Sequence, residues 1–211
     1  MSIGRGNRQY IPEIFEFCRE NAFSFGINPV TRDLHARHDE TEVDPKDYLD
    51  ACRTVFDLWF QQRDRVISAN PANGVLRHLL SRARLSVCSL SENCQHHFIS
   101  VGPEGDVYPC NRFYGVQRYR FGNLLNDGLD AALASSVRQE LVARSGERIT
   151  ACATCDIRRY CNGGCMHHAL AHHGELLRED HLCEVYRGII GHALKRLSEV
   201  IGETRKEQLH D

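Results

Sequence analysis

Four cysteines fall within fourteen residues in the stretch Cys152-Ala-Thr-Cys155-Asp-Ile-Arg-Arg-Tyr-Cys161-Asn-Gly-Gly-Cys165. Thiols so closely spaced either pair as disulfides or, as thiolates, hold metal. The chain has ten cysteines, and the choice between these chemistries depends on where it works. Its amino-terminal MSIGRGNRQY is basic but has no apolar run behind it to serve as a signal-peptide core. No run approaches the roughly 18 apolar residues of a membrane helix. A cytoplasmic location without a membrane partner is therefore expected, and in a reducing compartment the thiols are free to coordinate.

A structural zinc site draws its four ligands most often from paired C-x2-C motifs. Only one C-x2-C occurs here. The run is C-x2-C-x5-C-x3-C, with Cys88, Cys94 and Cys110 before it and Cys183 after it. These eight cysteines divide into two sets of four, which suits two 4Fe-4S clusters with one thiolate per iron, and by stoichiometry alone also suits two zinc ions. Asn162-Gly163-Gly164 lets the backbone wrap a bulky cluster and aim amide N-H groups at its sulfurs. Arg158 and Arg159 either offset cluster charge or form a solvated basic face.

The remaining candidates carry weaker signals. His168 and His172 stand at i, i+4 spacing beside His167 and His173, so a metal pair is geometrically allowed, yet no carboxylate shares the motif. His96 and His97 adjoin Cys94 and suit the lining of a cluster pocket. Cys18 and Cys52 lie on apolar helix faces and read as small buried hydrophobes.

Several elements must position these residues. Ile11, Ile14, Phe15 and Cys18 follow helical spacing after the start at Pro12, and Phe23-Ser-Phe-Gly-Ile27 alternates as a lone strand without neighbours. Asp44 as N-cap and Pro45 at the first helical position open a helix with Leu49, Cys52, Val55, Phe56, Trp59 and Phe60 on one face. A short helix is predicted over Val75 to Arg82. The cysteine-rich part begins with a hairpin, His97–Val101 and Asp106–Cys110 around Gly102-Pro-Glu-Gly105. A short strand in Tyr119–Leu124 and helices in Leu129–Val142, broken near Ser135 and Ser136, follow. The last helix starts near Cys183 and places Tyr186, Ile189, Ile190, Ala193, Leu197 and Ile201 on one face.

With 211 residues, 42% hydrophobic and 26% charged, the chain is neither disordered nor fibrous. A formal charge of -2 gives no reason to expect nucleic acid as a partner.

The pattern of Cys94, Gly105, Cys110, the run Cys152–Cys165 and Cys183 resembles the SPASM domain, the auxiliary-cluster domain at the C-terminus of many radical SAM peptide and protein maturases. The added Cys88 resembles the anaerobic sulfatase-maturase branch, in which both auxiliary clusters are fully cysteine-ligated. Gly105-Asp-Val-Tyr-Pro-Cys110 and Phe121-Gly-Asn-Leu124 are similar to family signatures. The resemblance implies that Cys88, Cys94, Cys110 and Cys165 hold a first 4Fe-4S cluster, and Cys152, Cys155, Cys161 and Cys183 a second. It also implies an α+β fold: residues 1–85 as the last strand and helices of a radical SAM partial barrel, residues 86–201 as the SPASM domain with short hairpins, cluster-binding loops and a C-terminal helix, and 202–211 as a frayed tail.

Radical initiation in that family needs a C-x3-C-x2-C loop. Here the one C-x3-C is Cys161 to Cys165, and His168 stands where a third cysteine belongs. The chain alone is therefore not expected to cleave S-adenosylmethionine, which would enter only through a missing or separate radical SAM core. Asn111 follows Cys110, where sulfatase maturases carry an aspartate thought to act as base, and an amide cannot take that proton. The expected role is the C-terminal portion of a maturase, as a fragment, a truncated product or a split subunit, acting on a peptide or protein. The alternatives are a stand-alone electron-transfer or peptide-binding module and a zinc-stabilised structural protein.

Overall fold

The computed structural model describes residues 1–35, 40–62, 67–81, 88–90 and 93–207, with the side chains of 203–207 left aside. The sequence boundary near residue 85 and the end of the helix expected at Arg82 lie outside the described residues. The chain divides into two compact units. The first comprises Met1–Val30, Thr41–Val87 and Glu184–Asp211, and the second Thr31–Glu40 and Cys88–Cys183.

In the first unit, β1 (Ser2–Ile3) precedes α1 (Ile11–Glu20), which has proline in its first turn and buries Ile11, Phe15 and Cys18. The extended stretch that follows holds β2 (Phe25–Gly26) and β3 (Asn28–Pro29). α2 (Pro45–Gln61) is capped by Asp44, whose Oδ1 accepts from the Lys46 amide at 2.8 Å. β4 (Ala69–Asn70) then leads into α3 (Ala72–Ser81).

The strand is not alone. Phe25 and Ile27 donate to the carbonyls of Ser68 and Asn70, while Asn28 and Val30 donate to those of Met1 and Ile3. One extended stretch thus serves two parallel partners, β4 and β1. Neither partner was legible, because two residues are too short to show a period of two. The stretch also starts later than its alternation suggested. Phe23 is 56% exposed and packs edge-on against Phe17.

α2 packs on the C-terminal helix, Cys183–Glu207. Phe56 is fully buried, stacks on Phe60 at 5.4 Å and meets His192 edge-on at 5.4 Å. Asp57 binds His192 Nε2 at 2.9 Å and Arg196 Nε at 3.1 Å. Tyr186, Ile189, Ile190 and Ala193 are buried as their spacing predicts, but Ile201 is 62% exposed. Cys52 is buried against Tyr48, and burial pushes its thiol up to about 12, as befits a small hydrophobe.

The second unit opens with the expected hairpin. β5 (Ser100–Val101) and β6 (Asp106–Tyr108) run antiparallel, and β7 (Gly122–Asn123) adds a third strand. Gly105 closes the turn at φ +86°, a conformation glycine adopts without strain. α4 (Gly128–Leu133) and α5 (Ser136–Val142) are separated at Ser135, whose Oγ caps α5 through the Arg138 amide. The short α6 (Arg158–Cys161) and α7 (Met166–His173) complete the unit. Its core gathers Val107, Tyr108, Phe113, Tyr119, Phe121, Leu141, Met166 and Leu170. The fold is α+β, and the described strands close no barrel. Among the described residues, no helix is long and apolar enough to cross a membrane.

Emptying the most enclosed ring in the first unit tests its packing. Phe56→Ala should cost about 3 to 5 kcal/mol, read as a lower urea midpoint at unchanged slope.

Candidate iron-sulfur site

The thiols converge in two groups, both in the second unit. Cys88 and Cys94 sit in short 3-10 turns and Cys110 ends the hairpin. Cys88 is hydrogen-bonded to Cys94, and the charges of Cys165 and Cys110 also reach it. Around the second group, Cys161 senses Cys183 and Cys152, and Cys152 senses Cys155. No disulfide joins any of the ten cysteines.

Backbone amides point at these sulfurs. Those of Arg112 and Phe113 donate to Cys110, that of Gly163 to Cys161, and those of His167 and His168 to Cys165. Burial nevertheless pushes Cys161 and Cys165 each up to about 12, because an uncompensated thiolate is poorly solvated there. Cys94 moves the other way, down to about 6, chiefly because Cys88 donates to it and also because Gln95 does. Gln95 is buried, and its Nε2 donates to Cys94 Sγ at 3.5 Å and to the Pro109 carbonyl at 3.1 Å.

The loop between Cys161 and Cys165 is left-handed throughout: Asn162, Gly163 and Gly164 have φ of +50°, +94° and +68°. A side chain on Gly164 would stand 2.5 Å from Asp180 Cβ, and one on Gly163 would stand 2.6 Å from Ile149 Cδ1. Glycine is required by conformation and by space alike.

Asp180 secures this loop from within. Its fully buried carboxylate accepts from the Cys165 amide at 2.6 Å, His168 Nδ1 at 2.9 Å and the Leu182 amide at 2.8 Å. Burial opposes its charge, but His168 and the two amides outweigh burial and hold the carboxyl below its ordinary range. His168 Nε2 lies 2.7 Å from Arg112 Nη1. A guanidinium can only donate, so Nε2 accepts, and the ring proton sits on Nδ1 facing Asp180.

Other sequence candidates divide. His168 has both ring nitrogens engaged and so does not join His172 as a metal pair, while His172 lies beside His181 with the rings stacked at 3.6 Å. His96 and His97 are exposed, and Gln95 between them supplies the sulfur contact. Arg158 reaches Cys152, whereas Arg159 lies over the Tyr160 ring. The buried cation of the site is Arg144, which the sequence reading missed. No local spacing marks it, because its partners are backbone carbonyls 19 to 34 residues away.

These features suit an iron-sulfur cluster: clustered cysteines, amides aimed at sulfur, and a glycine loop that a bulky inorganic core can approach. Among the described residues, no three thiol sulfurs lie within 4.8 Å of one another. A single tetrahedral zinc, with bonds of about 2.3 Å, would bring them to about 3.8 Å.

Residues 88–156 match the SPASM family model, whose description is an iron-sulfur cluster-binding domain. The chain is similar to a cysteine-type anaerobic sulfatase-maturating enzyme of Clostridium novyi, 23% identical over 94% of the chain and 54% of the relative. It is also similar to an uncharacterised protein of Archaeoglobus fulgidus, 24% identical over 89% of the chain and 45% of the relative. The chain thus spans about half the length of the curated relatives it matches. Its fold is that of solved anSMEcpe with bound AdoMet, at TM-score 0.79 and 22% identity over 96% of this chain and 56% of that one. The same enzyme with a bound Cp18Cys peptide matches at TM-score 0.75.

Asp180 makes stability depend on acid. Its folded pKa is depressed, so its contribution is complete above the unfolded value of about 4 and is lost as pH falls through the folded value. Urea unfolding at stepped pH below about 4 should show wild type losing stability more steeply than Asp180→Asn. Parallel profiles would contradict the assignment.

Proposed function

We propose that this chain binds two auxiliary 4Fe-4S clusters as the C-terminal portion or split subunit of a radical SAM maturase that modifies a peptide or protein. Cys88, Cys94, Cys110 and Cys165 would hold the first cluster, and Cys152, Cys155, Cys161 and Cys183 the second. The observation that supports this reading is that Cys88 is within electrostatic reach of Cys94, Cys110 and Cys165, while Cys152 and Cys161 are within reach of each other and of Cys155 and Cys183 respectively. Backbone amides are aimed at several of these sulfurs.

Once bound, each cluster supplies one-electron storage at low potential. The chain's own residues provide the rest. Gln95 and the amides of Arg112, Phe113, Gly163, His167 and His168 stabilise anionic sulfur. Asp180 fixes Cys165 through its amide. Since Cys165 lies in the same loop as Cys161 but belongs to the other group, the two sites would form together, and assembly would couple to folding.

S-adenosylmethionine cleavage would depend on a C-x3-C-x2-C loop, which these 211 residues do not contain. His168 cannot replace the third cysteine while it is committed to Asp180 and Arg112. The parallel strands and apolar helices of the first unit support its reading as the end of a partial barrel whose other strands lie elsewhere. The peptide in a related structure supports a peptide or protein substrate. Asn111, exposed just after Cys110, argues against formylglycine formation by the sulfatase-maturase route, since its amide is no base.

Anaerobic reconstitution with iron and sulfide should load about eight irons per chain, with EPR of the reduced protein reporting two clusters. Two zinc ions and no iron would overturn the reading. Cys165→Ala should damage the cluster held with Cys88, Cys94 and Cys110 and leave the other signal in place. Loss confined to the cluster of Cys152, Cys155, Cys161 and Cys183 would show the partition to be wrong.

A further inference from the structure

One buried guanidinium serves both cysteine groups. Arg144 follows α5 and is 4% exposed. It donates to four carbonyls: from Nε to Leu176 at 2.9 Å, from Nη1 to Gly164 at 2.9 Å, and from Nη2 to Gly163 at 2.7 Å and Arg178 at 3.1 Å. Its own carbonyl accepts from Asn93 Nδ2 at 2.9 Å, beside Cys94. The same Asn93 amide also binds the Leu141 and Val142 carbonyls, so the end of α5 is tied to the turn carrying Cys94. Arg144 therefore contacts the cysteine loop by its side chain and the first turn by its backbone.

All four hydrogen-bond acceptors are uncharged, and a guanidinium keeps its proton even when buried. Its charge is shared with Cys94 and Cys165 of one group and with Cys152 and Cys161 of the other. Besides the cysteines, the Asp180 carboxylate is also within reach of that charge. Screening by water is weak in such a place.

We propose that Arg144 is a shared positioning residue that sets the reduction potentials of both clusters together. The inference rests on the two-cluster reading above. Reduction adds one electron to a thiolate-ligated cluster and makes it more negative. A fixed cation nearby favours that state and raises the potential. Because one side chain reaches both groups, its charge acts on both couples at once. An arginine that merely held the loop would affect loading but would not move two potentials in the same direction.

The test is an EPR-monitored redox titration of the anaerobically reconstituted full chain. In Arg144→Gln, both clusters should show at least a tenfold lower ratio of reduced to oxidised form at fixed poise, about 59 mV for a one-electron couple. Arg144→Lys retains the charge but not the fork, and both potentials should fall together by a smaller factor. Arg148→Gln removes an exposed cation four residues away and should move neither. If Arg144→Gln does not load, the lysine variant carries the same criterion. In any loaded Arg144 variant, an unmoved potential at either cluster overturns the proposal, as does an equal effect of Arg148→Gln. Iron well short of eight in the unsubstituted chain refutes the cluster reading instead, whereas full iron with unmoved potentials refutes this inference alone.

Discussion

The site depends on how a loop with three consecutive left-handed residues is held. Such a loop makes few regular hydrogen bonds of its own, and its carbonyls and amides must find partners elsewhere. Arg144 takes the carbonyls of Gly163 and Gly164, and Asp180 takes the amide of Cys165. Burying either ion alone would be costly. Here each is surrounded by hydrogen bonds, and His168 with the Leu182 and Cys165 amides holds the Asp180 carboxyl below its ordinary range although it is fully buried. These anchors fix the short turn from Cys161 to Cys165 from both sides, as the proposed assignment of the two cysteines to different clusters would need.

Interleaving follows from this arrangement. In the proposed partition Cys165 would join three cysteines that precede it by 55 to 77 residues, while Cys152, Cys155 and Cys161 would await Cys183. Neither group is complete until the hairpin, the turn at Cys94 and the segment ending at Cys183 have come together. Side chains from each segment close the gaps. Asn93 binds the end of α5, Gln95 binds Pro109 of the hairpin, and Arg112 binds His168 of α7. The polar network thus does for the ligands what the apolar core of Val107, Phe113 and Met166 does for the secondary structure.

The legible features were those whose cause is local. Asp44-Pro45 caps a helix, Gly102-Pro-Glu-Gly105 turns a hairpin and Ser135 divides two helices, each through neighbours within a few residues. The cysteines were legible for a different reason: thiol chemistry restricts what eight such residues can do together. Arg144, Asp180, Asn93 and Gln95 carried no comparable mark. Arg144 and Asn93 bind carbonyls that any residue could offer, and the partners become neighbours only through the tertiary fold. For His168, helical spacing allowed a pair with His172 but could not show its partners Arg112 and Asp180, which lie 56 and 12 residues away.

The first unit shows the same limit. A five-residue alternation suggested an isolated strand, yet the backbone pairs with two-residue partners on both sides, and the register places Phe25 opposite Ala69 and Asn28 opposite Ser2. All these pairings are parallel. Parallel strands need crossover connections, which α1 and α2 with its following segment supply, and they are stable chiefly where helices cover their faces. Such short partners contribute few hydrogen bonds, so most of the order must come from the helices, above all the aromatic and ionic contacts of Phe56 and Asp57 with the C-terminal helix. That helix begins at Cys183, so a cysteine proposed to hold a cluster is also its first residue.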